Sequence, residues 1–419
     1  MKETRNLEFK ENISNTFLKT VSAYASYDGG TIMFGIDDSG KTVGLDNPDM
    51  LCLKIENKIN DSIRPQPEYS LSVNSKDKTI KLVVYPGTSK PYFYNSKVYK
   101  RNDTSTVEVD NIELKRLILE GRNMSFEELI SPEQNLTFAL LEQNLKDQRG
   151  IENFNLDILK TLNLYSDNTG YNNAAAILAD DNDFPGIDIA IFGETISIIK
   201  KRETLNHISI IRAYEEAVSV FKDYYSYEEI YGSKRRLVEM IPETAFREAV
   251  ANAIVHRLWD INSQIRILMF GDRIEIVSPG GLPRGLSKDE YIEGRVSILR
   301  NPILANVFNR LNYVEAFGTG VRRIRDAYSE STTKPVFDAS DNTVKVTLPL
   351  MAYGSNLSTD ESKVYKTLSK AKAKPISEIM ASPEIKFGKS KVTELLKAMA
   401  GKSLVMIEGN GKGTKYRMI

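Results

Sequence analysis

Two groups of side chains are of types and spacings that could do chemistry. The first is acidic and lies near the N-terminus: Glu3, Glu8 and the adjacent pair Asp37-Asp38. Hard divalent cations take oxygen ligands. Carboxylates that converge at a strand end hold Mg²⁺ or Mn²⁺, which activates water and stabilises the leaving oxygen in phosphodiester hydrolysis. The second group is Glu248, Asn252 and His256, at i, i+4 and i+8. That spacing stands them on one flank of a helix. There an Asn beside a carboxylate can hold a Mg²⁺ that bridges nucleotide phosphates, and the Glu can orient an attacking water. Each group also has a plain reading. Asp-Asp-Ser-Gly makes a good turn without metal, and Glu alternating with apolar residues is an ordinary strand face. Glu248 to His256 can equally be a solvated polar flank that ends a helix. From spacing alone the turn reading prevails for the first group, and the two readings balance for the second.

These groups require particular elements. Asn6–Lys10 reads as a short strand and Asn12 to Tyr27 as an amphipathic helix with Ile13, Phe17, Leu18, Val21 and Ala25 inward. Asp28-Gly29-Gly30 is a tight turn, Thr31–Ile36 an apolar strand, and Asp37 to Lys41 closes a hairpin into Val43-Gly44-Leu45. A helix covers Asn111 to Glu120. Pro242 opens another, whose stripe is Phe246, Ala249, Val250, Ala253 and Ile254, before strands at Ile265–Phe270 and Arg273–Val277. Residues 123–240 are mostly helical, with a strand-like run at Ile187–Phe192.

A linker at Met351 to Ser358 leads to helices at 359–371, Pro375 to Met380 and Ser390 to Ala400. The third helix inserts Val392, Leu395, Leu396 and Met399 into a core. Strands Leu404–Ile407 and Lys415–Met418 flank a Gly-rich tip, Gly409 to Gly413. This is the pattern of a winged helix-turn-helix. In it Lys389, Lys391, Lys397 and Lys412 neutralise phosphates, and Ser390 and Thr393 reach base edges. The other use of such a unit is protein contact or dimerisation.

Charge supports the first use. Residues 355–419 carry thirteen Lys plus Arg against six Asp plus Glu, a net +7, so the rest carries −7 in a chain of formal charge zero. A basic module on an acidic body points to phosphates. With 419 residues the chain needs several cores. It has no long apolar window, its first residues, Met1 to Lys10, do not read as a secretory leader, and Cys52 is its only cysteine, which excludes an internal disulfide framework and a multi-cysteine zinc site. The expectation is a cytoplasmic protein that does not enter membranes. Cys52, beside Leu51 and Leu53, reads as core, His207 as chemically idle, and the Tyr224, Tyr225, Tyr227 and Tyr231 cluster as packing.

The strings themselves add two resemblances. Glu3 to Lys10, Lys19 to Ala25, Asp28 to Gly40 and Tyr99-Lys100-Arg101 before Thr104-Ser105-Thr106 resemble the Schlafen-type AlbA-like domain over residues 1–122. The resemblance implies nucleic-acid contact by Lys10, Lys100 and Arg101. In the eukaryotic members it also implies a metal-dependent ribonuclease site, here Glu3, Glu8 and Asp38 or Asp37. Those members pair two lobes, so one lobe here implies a homodimer. Phe246 to Arg257, Asp272 to Pro283, Arg300-Asn301-Pro302 and Glu315 to Gly320 are similar to a degenerate GHKL-type ATPase domain, residues 241–350, with 123–240 as its usual spacer. By that likeness Glu248 is the general base, Asn252 the metal ligand, and Gly280, Gly281, Gly318 and Gly320 line ATP. The Asp that reads adenine in such domains is absent: the strand end is Ser278-Pro279-Gly280-Gly281. The expectation is therefore an α+β, multidomain chain that is either a DNA-binding transcriptional regulator with a nucleotide-sensing lobe or a divalent-metal-dependent endoribonuclease.

Overall fold

Leu7–Lys10 (β1) and Gly30–Phe34 (β2) pair in parallel, with Leu7 opposite Thr31. A tight turn cannot join a parallel pair, so the chain must cross over. Phe17–Ser26 (α1) is the crossover, and all its residues but Lys19 are buried. It starts later than the sequence predicts. Ser14 and Thr16 share a hydroxyl–hydroxyl bond of 2.6 Å, the local bonding by which short polar side chains compete with a helix. Pro48–Ser62 (α2) opens on its proline and buries Ile55 and Ile59. Ile63–Arg64 (β3) follows, then Tyr69–Asn74 (β4) and Thr79–Val84 (β5). The main sheet has the order β1-β2-β5-β4. On edge strand β4 Ser70, Ser72 and Asn74 alternate outward while Tyr69, Leu71 and Val73 pack inward. Phe17 meets Phe34 edge-on at 5.3 Å in this core.

The expected hairpin after β2 is a turn only. β2 has β1 and β5 as neighbours, and the chain returns through a single bridge, Ile36 to Thr42. Gly35 at φ +85° and Gly44 at φ +79° take the backbone out of strand geometry at both ends.

Phe93–Tyr94 (β6) pairs with β3, and Tyr99–Asn102 (β7) with Ser105–Glu108 (β8). Asn111–Gly121 (α3) is capped by Asp110, which accepts from the amides of Ile112 and Glu113. Ala139–Arg149 (α4) interrupts this unit, which resumes with Leu156–Thr161 (α5), Tyr165–Ser166 (β9) and Gly170–Tyr171 (β10). Tyr171 accepts from the Ser131 amide at 2.9 Å, and the Asn173 amide donates to Leu129 at 2.8 Å. In this computed structural model the chain thus forms two compact units, Met1–Leu136 with Asn155–Ala176, and Thr137–Phe154 with Ile177–Ile419. The structure describes residues 2–231, 234–283, 285–294, 298–314, 319–351, 358–369, 372–401, 404–409 and 411–418.

After Asn173–Leu178 (α6), the second unit builds on Ile187–Phe192 (β11) and Ile199–Leu205 (β12). Asp180 caps α4, accepting from the amides of Ala139 at 2.7 Å and Leu140 at 3.0 Å. Ile210–Tyr225 (α7) precedes a two-stranded ribbon, Ser226–Tyr231 (β13) and Lys234–Glu239 (β14), and Glu243–His256 (α8) follows. Then come Ile265–Met269 (β15), Arg273–Pro279 (β16), Lys288–Glu293 (α9), Pro302–Arg310 (α10), Gly320–Ala327 (α11), Val336–Ala339 (β17) and Thr343–Pro349 (β18). The six-stranded sheet runs β12-β11-β15-β16-β18-β17, with only β11 and β15 parallel. It takes two strands from the stretch expected to be mostly helical. Strand β11 was legible as an apolar run. Strand β12, Ile-Lys-Lys-Arg-Glu-Thr-Leu, lies at the edge with its polar side chains in solvent, and so lacks the apolar alternation of a half-buried strand.

The C-terminal stretch holds Thr359–Thr367 (α12), Lys374–Pro375 (β19), Ile376–Met380 (α13), Lys389–Gly401 (α14), Val405–Glu408 (β20) and Lys415–Met418 (β21). Its small sheet is β19-β21-β20, and Val364, Ile379, Val392, Leu396, Met399 and Tyr416 form one core. Among the described residues no helix is long and apolar enough to cross a membrane.

Candidate functional sites

Helix α8 buries the predicted stripe, and Phe246 stacks on Phe221 at 4.2 Å between ring centroids. Another flank of α8 borders a pocket. The lining joins Asn252 and His256 to Ile276 and Ser278 of β16, to Gly280 and Gly281 just beyond it, to Gly320 at the start of α11 and to Val344 and Val346 of β18. Four residues assigned to a nucleotide from the sequence, Asn252, Gly280, Gly281 and Gly320, therefore meet around one cavity. Gly318 lies outside the described residues. Space dictates Gly281 and bears on Gly320. A Cβ on Gly281 would sit 2.5 Å and 2.6 Å from the carbonyl oxygens of Asp341 and Ser340, and one on Gly320 would sit 2.3 Å from Asn252 Nδ2.

No described lining residue is charged, and most are aliphatic. Burial, aided by the Arg300 charge, pulls His256 down to about 4, so its imidazole is neutral at physiological pH. Burial pushes the Tyr291 phenol up to about 12. The Ser278 hydroxyl donates to the Ala253 carbonyl at 2.9 Å. An apolar cavity with a few convergent polar groups suits the planar, weakly polar part of a small ligand.

The last carbonyls of a helix have no donor of their own. Arg300 donates to His256 O at 2.7 Å and to Gly281 O at 3.1 Å, and the Asn301 carboxamide donates to Val255 O at 3.0 Å and Arg257 O at 2.9 Å. This explains the Arg300-Asn301-Pro302 string: the first two residues close the end of α8, and the proline starts α10. Arg257 is structural too. It is fully buried, donates to the carbonyls of Pro185, Ile261 and Ser263, and lies over Trp259 at 4.2 Å. Burial lowers it to about 10, still charged at neutral pH.

Glu248 is not in the lining. It is 4 % exposed, and its Oε1 lies 2.6 Å from Arg323 Nη1 on α11. A general base must reach the water it activates, and this carboxylate is already engaged by a guanidinium. The sequence carried no sign of that partner, 75 residues away.

In the first unit Glu8 is 4 % exposed and fully committed. Its Oε1 lies 2.6 Å from Lys10 Nζ, and its Oε2 accepts from Thr20 Oγ1 at 3.0 Å and from Arg101 Nη1. Arg101 is buried, donates also to Thr106 Oγ1 at 3.0 Å and Thr4 O at 3.3 Å, and lies over the Tyr24 ring at 5.9 Å. Desolvation raises the Tyr24 phenol. Glu3 is turned to the backbone, where its Oε1 accepts the Phe9 amide at 2.8 Å. Asp37 Oδ1 accepts from the Ser39 amide and hydroxyl and the Lys41 amide, bonds led by the Ser39 hydroxyl that hold its carboxyl below the usual range. Asp38 is exposed. Lys100 pairs with Glu113 at 2.5 Å.

The structure thus joins Glu8 to Lys10 and Arg101. Among the described residues it gathers no three His, Cys, Asp or Glu side chains around a point where a metal ion could sit. To gain a Glu8 oxygen, a dication would have to displace Lys10 from Oε1, or Arg101 and Thr20 from Oε2, and would still face the displaced cation's charge. The donor set does not fit Mg²⁺ or Mn²⁺. Thr20 and Tyr24, which complete this network, were visible in the sequence only as members of the Lys19 to Ala25 string, and neither was singled out for the site.

On α14, Lys389, Ser390, Lys391 and Lys397 are exposed, while Thr393 is half-buried and returns its hydroxyl to Lys389 O at 2.8 Å. Lys391 is paired with Asp360 of α12. The Lys412 side chain lies outside the described residues.

Residues 3–110 match the family described as Schlafen, AlbA_2, and residues 262–348 match that described as Putative ATP-dependent DNA helicase recG C-terminal. The second match spans β15 to β18 and leaves α8 before it. A crystal structure of the DIP2311 protein from Corynebacterium diphtheriae aligns over 99% of this chain and 92% of its own, at 17% identity and a TM-score of 0.49. A solution structure of the N-terminal domain of a putative ATP-dependent DNA helicase RecG-related protein from Nitrosomonas europaea aligns over 22% of this chain and 69% of its own, at 25% identity and a TM-score of 0.18. No curated protein matches the chain.

Proposed function

From a chain that carries a Schlafen AlbA_2 domain and a RecG C-terminal, ATPase-like domain, we propose a cytoplasmic, nucleic-acid-binding regulator whose ATPase-like lobe binds a nucleotide. The observation that carries the reading is the C-terminal unit, residues 355–419. Its third helix, α14, buries Val392, Leu396 and Met399 and leaves Lys389, Ser390 and Lys397 in solvent. Read as a winged helix, it lays that face in the major groove, with the lysines on phosphates and Ser390 nearest the base edges. As a homodimer the protein presents two such faces to two half-sites.

The pocket beside α8 supports the nucleotide part. Its uncharged, largely aliphatic lining suits a base, and phosphates would lie outside the described lining. Glu248, paired with Arg323, favours binding and sensing over hydrolysis. The endoribonuclease reading is the weaker one, because Glu8 is paired with two cations.

The test incubates pure protein with labelled duplex DNA and with tRNA, in Mn²⁺ and then in EDTA. A salt-sensitive shift of the duplex, weakened by Lys389→Ala with Lys397→Ala, and intact RNA are expected. Metal-dependent tRNA cleavage that disappears in Glu8→Ala would overturn the reading. Titrating ATP against wild type and Asn252→Ala tests the pocket, where loss of affinity in the variant is expected.

A further inference from the structure

We infer that the Glu8 cluster works without a divalent cation, as a charge latch in which one buried carboxylate holds Arg101 inside the fold and Lys10 against it, and thereby limits how strongly the N-terminal unit attracts polyanions. Three observations carry this.

The first is commitment of atoms. Both Glu8 oxygens are taken, by Lys10 on one side and by Arg101 and Thr20 on the other. The second is balance of charge. One carboxylate, Glu8, faces two cations, Lys10 and Arg101, so the group already carries a net positive charge and an added dication would only increase it. The third is connectivity. Through Thr20, Thr106 and Thr4 O, the Arg101–Glu8 pair ties β1, α1, β7 and β8 together. A group that joins four elements is built to stay closed. A hydrolytic metal site instead needs carboxylate oxygens open to the ion and an open coordination position.

The affinity part of the inference rests on the nucleic-acid-binding reading, whereas the metal part stands without it. The test uses the full chain and Glu8→Gln, which keeps size and hydrogen bonding and removes the charge. Manganese alone, followed by its paramagnetic resonance signal, is the first probe. Wild type and variant are expected to leave Mn²⁺ equally free at micromolar protein. A short labelled duplex, followed by anisotropy across a salt series, is the second probe. Neutralising Glu8 releases the partly exposed one of its two cations, Lys10, whereas Arg101 stays buried, so the variant is expected to bind several-fold more tightly, with a salt slope steeper by about one. A single Mn²⁺ bound by wild type and lost in a Glu8→Gln protein of unchanged melting temperature would overturn the inference. So would equal or weaker duplex affinity in the folded variant. If neither protein binds the duplex, the regulator reading fails, and the Mn²⁺ result still decides the metal question.

Discussion

Gly320→Ala sets two effects of known sign against each other. Gly320 is the first residue of α11, where alanine gains at most about 1 kcal/mol of helix propensity over glycine. The added Cβ, however, would lie 2.3 Å from Asn252 Nδ2, 2.9 Å from Oδ1 and 3.0 Å from Cγ. Carbon–nitrogen contact needs about 3.4 Å or more, so the carboxamide must swing by about 1 Å. Such overpacking costs about 1–3 kcal/mol. The two terms nearly cancel, and thermal unfolding is expected to shift by no more than about 2 kcal/mol toward instability. Binding has no compensating term. On the proposed nucleotide-binding reading, a carboxamide displaced by about 1 Å would lose a hydrogen bond to the ligand, worth about 1–2 kcal/mol, or a roughly tenfold weaker nucleotide Kd. The assay is calorimetric titration of ATP into both proteins, paired with melting curves. A variant that melts higher and binds ATP as wild type does would show that Asn252 does not touch the ligand.

Three further outcomes follow from the same geometry. His256 has a folded pKa near 4, below its unfolded value near 6.5. Stability linked to its neutral form is therefore full above about pH 6.5 and is lost as pH falls toward 4, so in urea melts wild type should lose up to about 3 kcal/mol relative to His256→Gln across that range. Replacing Arg257 with Met strands the carbonyls of Pro185, Ile261 and Ser263. A loss of about 3–5 kcal/mol is expected, followed by the emission of Trp259, the only tryptophan in the chain. Removing Lys389 and Lys397 together should flatten the slope of log affinity against log salt for duplex DNA by about 2, whereas Lys391→Ala, already paired with Asp360, should change it less.

What the sequence revealed depended on the range of the interaction. The α8 stripe and the α14 stripe repeat within one or two helical turns, and both helices form where the periodicity places them. The pocket glycines were visible only as strings. Their meeting depends on β16 ending beside the start of α11, which no local pattern encodes. The ion pairs were hidden altogether. Lys10, Lys100 and Arg101 looked like cations held out to phosphate, but each faces a carboxylate, and Arg101 reaches Glu8 across 93 residues. Charge in a sequence states what is available, and only packing determines which charges neutralise each other. The turn at Asp37 shows the reverse. Its three accepted bonds all come from within four residues, and there the plain reading of Asp-Asp-Ser-Gly matches the bonding found.

The chain passes between its two units three times, and this bears on how it is made. As it leaves the ribosome, residues 1–136 emerge before the segment that completes their unit, because Ser131 and Leu129 wait for Tyr171 and Asn173. Helix α4 emerges in between. Its N-terminal cap, Asp180, comes 41 residues after the Ala139 amide it accepts from, and the carbonyls of Asn309 and Arg310 that Arg149 holds come later still. Until then Leu141 and Leu145, buried in the finished protein, stay uncovered on the nascent chain. A pause in translation between residues 176 and 310 would prolong that exposure, whereas one before residue 137 would not. A ribosome-bound chain stalled once Asn173 has cleared the exit tunnel, but before Asn309 is made, should therefore hold a closed first unit and an α4 still without the carbonyls that Arg149 binds.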